Sequence, residues 1–142
     1  MVARFRELHT SGFIIPNPFD QGSAKLLEAM GYQALASTSA GFAHTLGLPD
    51  GTTKRDEVMR HLQALCGVVS IPVSADLENC YGDEPAVVAE TIRPTAAAGC
   101  AGGSVEDNTG RADEPIYQFE LAVERVRAAA EAARSVDGGF VL

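Results

Sequence analysis

Short apolar runs alternate with helical patterns along this chain, the signature of βα units feeding a parallel sheet. Gly12–Pro16 reads as a first strand that ends in the loop Asn17–Asp20. Ser23 to Met30 follows as a short helix, with Leu26, Leu27 and Met30 apolar and Gly31 placed to stop it. Gln33 to Ser37 is a second strand. Thr53 to Cys66 is the clearest helix: Thr53 and Asp56 resemble a capping box, Val58, Leu62 and Leu65 share a face, and Gly67 ends it. Val68 to Ala75 is a continuous apolar run broken by Pro72, as expected of a parallel strand covered on both faces. Pro85 opens a helix that runs to Gly99, with Pro94 inside it expected to kink or shorten it. Ala101 to Val105 is a fourth strand. A last helix starts at Pro115, with Ile116, Phe119, Val123, Val126 and Ala130 along its apolar side, and Phe140–Leu142 begins a fifth strand.

These strands recur about every 32 residues, and eight such units make the roughly 250 residues of a (β/α)8 barrel. The expected fold is α/β with parallel strands, a TIM-barrel type represented by its first four and a half βα units in a single domain over residues 1–142, a choice that the motifs and not the spacing decide. An open doubly wound sheet fits the same spacing. No G-x-G-x-x-G or G-x-x-x-x-G-K-[ST] loop supports a nucleotide-binding version of it.

Composition narrows the partners. The 142 residues carry 11 Lys plus Arg against 19 Asp plus Glu, a net charge of −8, which disfavours nucleic acid and anionic membranes. It also means that an anionic substrate needs a local cation or a set of backbone N–H donors. Cys66, Cys80 and Cys100 form no C-x-x-C pattern, so neither a zinc knuckle nor a disulfide framework is indicated. The charged start and the lack of a long apolar run predict a soluble, cytoplasmic protein. His9, His44 and His61 have no metal-ligand spacing.

The candidate chemistry lies where strands end. Asp76 and Glu78 follow the third strand, and strand periodicity puts Ser74, Asp76 and Glu78 on one side. Two inward acids at a barrel mouth repel each other and are costly to desolvate, which a divalent cation would relieve. Oxygen-only donors favour Mg²⁺ over zinc. Glu106 and Asp107 follow the fourth strand and point to opposite sides, so one of them faces the mouth; Glu106 shares parity with Ser104. Ser37, Thr38 and Ser39 follow the second strand in a small-residue loop whose N–H groups could cradle a carboxylate.

Taken in order, P-N-P-F-D at Pro16–Asp20, S-T-S-A-G at Ser37–Gly41, L-G-L-P-D-G at Leu46–Gly51, S-A-D-L-E-N-x-Y-G-D at Ser74–Asp83 and S-V-E-D at Ser104–Asp107 resemble successive signatures of the isocitrate lyase/phosphoenolpyruvate mutase superfamily. The likeness covers essentially the whole chain and is nearest to the short-chain branch of phosphonopyruvate-processing enzymes, oxaloacetate decarboxylases and methylisocitrate or dimethylmalate lyases. It implies a Mg²⁺-dependent enzyme that makes or breaks C–C or P–C bonds in small 2-oxo or related carboxylic acids through an enolate. By position, Asp76 matches the main metal carboxylate, with Glu78 and Glu106 assisting. Ser37, Thr38 and Ser39 match the substrate-carboxylate site. Asp50 matches an acid near the reacting centre, and with Glu106 it is a catalytic candidate. The family also implies a homo-oligomer.

Two departures stand out. Lyases of this family carry a K-K-C-G-H-like loop after the fourth strand, whereas Asn108–Glu114 holds no lysine and no cysteine. Cys80 stands where many relatives have glycine, and its acidic neighbours make it a poor nucleophile. A second reading therefore stays open: a non-catalytic half-barrel that covers its open edges by self-association.

Overall fold

In the computed structural model, which describes residues 1–142, three parallel strands lie in sequence order with helices packed on one face. The strands are β1 (Leu35–Ala36), β2 (Val73–Asp76) and β3 (Gly102–Ser104). Around them run α1 (Val2–Leu8), α2 (Gln21–Ala29), α3 (Ser39–Thr45), α4 (Arg55–Cys66), α5 (Pro85–Ala97) and α6 (Phe119–Ser135). Leu35 pairs with Val73, and Ser74, Ala75 and Asp76 pair with Gly102, Gly103 and Ser104. Val141 adds one parallel bridge to Gly102, the first contact of the expected fifth strand.

The ordered strands are shorter than the apolar runs that announce them. Gly12–Pro16 forms no ladder; it meets β1 through the Ala36 N–H donating to the Pro16 carbonyl at 3.1 Å. Pro16 and Pro18 lack the donors a ladder needs. The third run is strand only from Val73, after Pro72. There, Val73, Ala75 and Leu77 are buried while Ser74 and Asp76 are only partly covered, so one face packs on helices and the other borders a cavity. The expectation of two covered faces is thus corrected, because in this chain no second layer lies over the inner side.

The main core sits between sheet and helices. Val58 and Leu62 of α4, Val88 and Ile92 of α5 and Ala129, Ala132 and Ala133 of α6 close over Val73, Ala75 and Leu77. Burying each larger aliphatic side chain contributes about 1.5–3 kcal/mol. Phe5 of α1 packs against Ala34 and Ala101, which precede β1 and β3, so α1 closes the amino-terminal end of the sheet. Gly102 permits that approach: a Cβ there would lie 2.5 Å from the Val141 carbonyl oxygen and 2.8 Å from the Phe5 ring.

Helix boundaries differ from expectation for local reasons. Asp20 caps α2, its carboxylate accepting from the Ser23 N–H at 2.7 Å. The start of α4 is held by Glu57 accepting from the Lys54 N–H at 2.9 Å, rather than by Thr53 and Asp56. Helix α5 continues through Pro94 to Ala97. Helix α6 begins at Phe119, because Ile116 is drawn into an antiparallel bridge with Asn108.

The buried face of α6 is the largest correction. Phe119 and Val126 of the expected apolar side are 76% and 44% exposed, while Ala122, Arg125, Ala129, Ala132 and Ala133 are buried. Small residues let α6 approach α5 closely, so steric fit outweighs side-chain hydrophobicity in choosing the face.

Candidate metal and substrate site

The carboxyl ends of the strands gather four acids. Asp76 ends β2, Glu78 follows two residues later, Glu106 lies two residues past β3, and Asp50 stands in the loop between α3 and α4. Ser37 and Ser39 bracket the end of β1 and the start of α3. The Ser39 N–H and hydroxyl both donate to Asp76 Oδ2, at 2.9 and 2.8 Å, and the Ser37 hydroxyl accepts from the Asp76 N–H at 2.8 Å. The segment read as a small-residue cradle is therefore the opening of a helix. Thr38 caps it, accepting from the Gly41 N–H at 3.1 Å, which commits its side chain to the backbone.

Asp76 and Glu106 line one cavity of about 520 Å³ on the inner side of the sheet, together with Ser37, Ser74 and Ser104. Glu106 also lines a second cavity of about 580 Å³, with Ser39, Asp50, Glu78 and Asn79 and no apolar residue. Glu78 in turn borders a third cavity, of about 700 Å³, beside Thr53, Lys54 and Tyr81. Glu106 joins the first two spaces, and its N–H donates to the Glu78 carbonyl at 2.8 Å. Glu78 does not continue the strand alternation: β2 ends at Asp76, and Glu78 takes φ 50°.

Electrostatics make these acids costly without a cation. Burial first, then the charges of Asp76, Asp50 and Glu106, push the Glu78 carboxyl up to about 7. Its Oε1 is buried with no hydrogen-bond partner. Glu106 is raised for the same reasons, burial ahead of Asp76 and Asp50. No three His, Cys, Asp or Glu side chains converge closely enough to hold an ion by themselves. Mg²⁺ does not require that, since it commonly binds one or two carboxylates and completes its shell with water and substrate oxygens. Oxygen donors, the orphaned Glu78 oxygen and the mutual repulsion all fit such a cation.

The acidic loop is held in an expensive shape. Glu78, Cys80 and Tyr81 all have positive φ, at 50°, 63° and 65°. Each costs roughly 1–2 kcal/mol for a residue with a Cβ. Cys80 thus adopts the left-handed conformation without glycine, and burial pushes its thiol up to about 12.

Arg125, which the motifs do not point to, offsets this strain. Fully buried on α6, it donates to the carbonyls of Gly82, Asp83 and Asn79 at 2.6, 2.6 and 2.5 Å, and it stacks 4.0 Å from the centroid of Tyr117. The Tyr117 hydroxyl donates to Asp83 at 2.6 Å and accepts from the Asn79 amide at 3.1 Å. Arg111 pairs with Asp83 at 2.7 Å. A period-3.6 row of alanines interrupted by one arginine is the sequence signal that could have found it.

The phosphoenolpyruvate phosphomutase family model matches residues 5–142. The chain belongs to that family. It is accordingly a member of the isocitrate lyase/phosphoenolpyruvate mutase superfamily, with its (β/α)-barrel type of fold. It is 34% identical over 127 residues to 2-methylisocitrate lyase of Escherichia coli (strain K12), covering 84% of this chain and 42% of that protein. Among solved structures, one from Burkholderia cenocepacia J2315, provisionally described as a lyase/mutase, is 53% identical with a TM-score of 0.93, over 95% of this chain and 50% of that one. A phosphonopyruvate hydrolase in complex with oxalate and Mg²⁺ has a TM-score of 0.90 over 99% of this chain and 50% of its own, and at 22% identity it shows likeness of fold alone. The chain spans about half the length of the relatives it matches. No helix is long and apolar enough to cross a membrane.

Proposed function

We propose that this chain carries the metal-binding half of a Mg²⁺-dependent, cytoplasmic lyase-type enzyme that cleaves or forms C–C or P–C bonds in small 2-oxo or related carboxylic acids. The supporting observation is the cavity shared by Asp76 and Glu106, adjoined by a Glu78 carboxyl raised to about 7 among other acids. Asp76, Glu78 and Glu106 would hold the ion, directly or through water. An ion held there would supply positive charge towards a substrate 2-oxo group and towards the negative charge that develops as the neighbouring bond breaks.

The chain's own residues divide the remaining work. Ser39 orients Asp76 through two hydrogen bonds, and the Ser37 hydroxyl, which accepts from the Asp76 N–H, keeps its own proton for a substrate carboxylate in the inner cavity. Thr38 serves the same site indirectly, as the cap of α3. Asp50 and Glu106 face the polar cavity, where either could hold or accept a proton. The loop from Asn108 to Glu114 supplies no thiol or amine. It is tied down instead, by the Arg111–Asp83 pair and by the Thr109 hydroxyl donating to the Glu114 carbonyl. Incubation with Mg²⁺ and oxaloacetate, phosphonopyruvate or methylisocitrate tests the proposal through pyruvate release. Release above that of the same Mg²⁺ mixture without protein, and stopped by EDTA, supports it; none above that level from any of the three counts against it.

A second reading, a non-catalytic half-barrel that pairs with another copy, is favoured by apolar side chains on the open inner side. Phe5, Phe13, Ile15 and Val141 border the same cavity as Asp76. Under this reading the homo-oligomer covers that side, and sedimentation at micromolar concentration gives a dimer or larger. A stable monomer contradicts it.

A further inference from the structure

Two of the three cysteines meet far from the acids. Cys66 is the last residue of α4, and Cys100 lies two residues before β3, at the end of the sheet opposite the carboxylates. Their sulfurs lie 3.7 Å apart although the residues are 34 positions apart in the chain. Gly99 makes the approach possible: a Cβ there would sit 3.1 Å from the Cys66 Cβ, and its φ of 101° suits glycine. Cys66 is half-buried, whereas Cys100 is 4% exposed but borders a cavity of about 400 Å³ with Ala96, Gly99 and Val136. Cys66 is thus the sulfur a small oxidant meets first, with Cys100 behind it in sulfur contact. Cys80 is wholly buried elsewhere in the core and has no sulfur partner.

We infer that Cys66 and Cys100 form a redox modification site that a hydroperoxide converts to a reversible disulfide. Cys66 is the attacking sulfur, because it is the more accessible of the two. The Cys66 thiolate attacks the outer peroxide oxygen; the O–O bond breaks, an alcohol leaves with a proton, and a sulfenic acid forms. Cys100 sulfur then attacks Cys66 sulfur, its proton passing to the departing hydroxide, so that the S–S bond forms, the S–O bond breaks and water leaves. Two thiols lose two electrons in total, and one hydroperoxide is reduced to alcohol and water. The thiols are restored by exchange with an external dithiol.

The link would close a loop that contains β2, the acidic loop and α5. Cross-linking a loop of this length restricts the unfolded chain and stabilises the folded one.

The test treats the full chain with one equivalent of hydrogen peroxide, blocks the remaining thiols, and maps the digest by mass spectrometry. The expected product has lost two hydrogens, joins the Cys66 and Cys100 peptides, leaves Cys80 alkylated, and melts more than about 5 °C higher until a dithiol reverses it. Cys100→Ser should arrest at a sulfenic acid on Cys66 that dimedone traps, and Cys80→Ser should still cross-link. Sulfinic acid at Cys66 without a cross-link in the unsubstituted chain, a bridge to Cys80, or three unreacted thiols would each overturn the inference.

Discussion

The N–H and hydroxyl of Ser39 converge on one carboxylate oxygen of Asp76, at 2.9 and 2.8 Å. Helix α3 starts at Ser39, so the carboxylate sits on a helix amino terminus, where free N–H groups favour negative charge. Oδ1 otherwise meets only the Glu78 N–H at 3.3 Å, which leaves it the oxygen available to the proposed ion. Ser39→Ala should weaken Mg²⁺ binding by roughly 10-fold, and Asp76→Asn by roughly 100-fold or more, with the fold retained. Isothermal titration with Mg²⁺ or Mn²⁺ checks both; equal affinities would remove Asp76 from the site.

Glu78 makes stability depend on pH. Its folded carboxyl titrates near 7 against a usual 4.5, so between those values the folded chain keeps a proton that the unfolded chain has lost. Its contribution is complete below the lower value and disappears as pH rises through the higher one. Without metal, the melting temperature should fall from about pH 5 to about pH 8, with Glu78→Gln flattening that slope. Added Mg²⁺ should offset the fall and release protons, since the ion needs the ionised carboxylate.

Arg125→Met tests the buried brace. Methionine preserves much of the volume but leaves the carbonyls of Asn79, Gly82 and Asp83 without donors. An unfolding free energy lower by about 3 kcal/mol or more is expected in urea. A loss of under about 1 kcal/mol would mean that those carbonyls find other donors.

At Cys80, with φ 63°, two truncations separate packing from backbone strain. Alanine and glycine both lose the thiol, but only glycine relaxes in the left-handed region. Cys80→Gly should therefore be more stable than Cys80→Ala by about 1 kcal/mol, the reverse of their order at ordinary positions.

On α6, Phe119→Ser should change monomer stability by less than about 0.5 kcal/mol, since the ring is 76% exposed. Ala129→Leu, on the fully buried face, should cost about 1–3 kcal/mol through overpacking against α5. Thermal melts of the two variants decide which face carries the packing.

The alternation of short apolar runs and amphipathic helices, and the acids placed just after those runs, were determined by local pattern alone. They survive as β1, β2, β3 and the places of Asp76 and Glu106 at strand ends, because strand and helix periodicities are properties of neighbouring residues; Glu78, at φ 50°, departs from that alternation. Tertiary structure alone decided which face of α6 is buried, how Cys80 and Tyr81 turn the acidic loop, and that Arg125 holds it from more than forty positions away. Those outcomes depend on close fit between α5 and α6 and on hydrogen bonds between distant segments, which no stretch of neighbouring residues encodes.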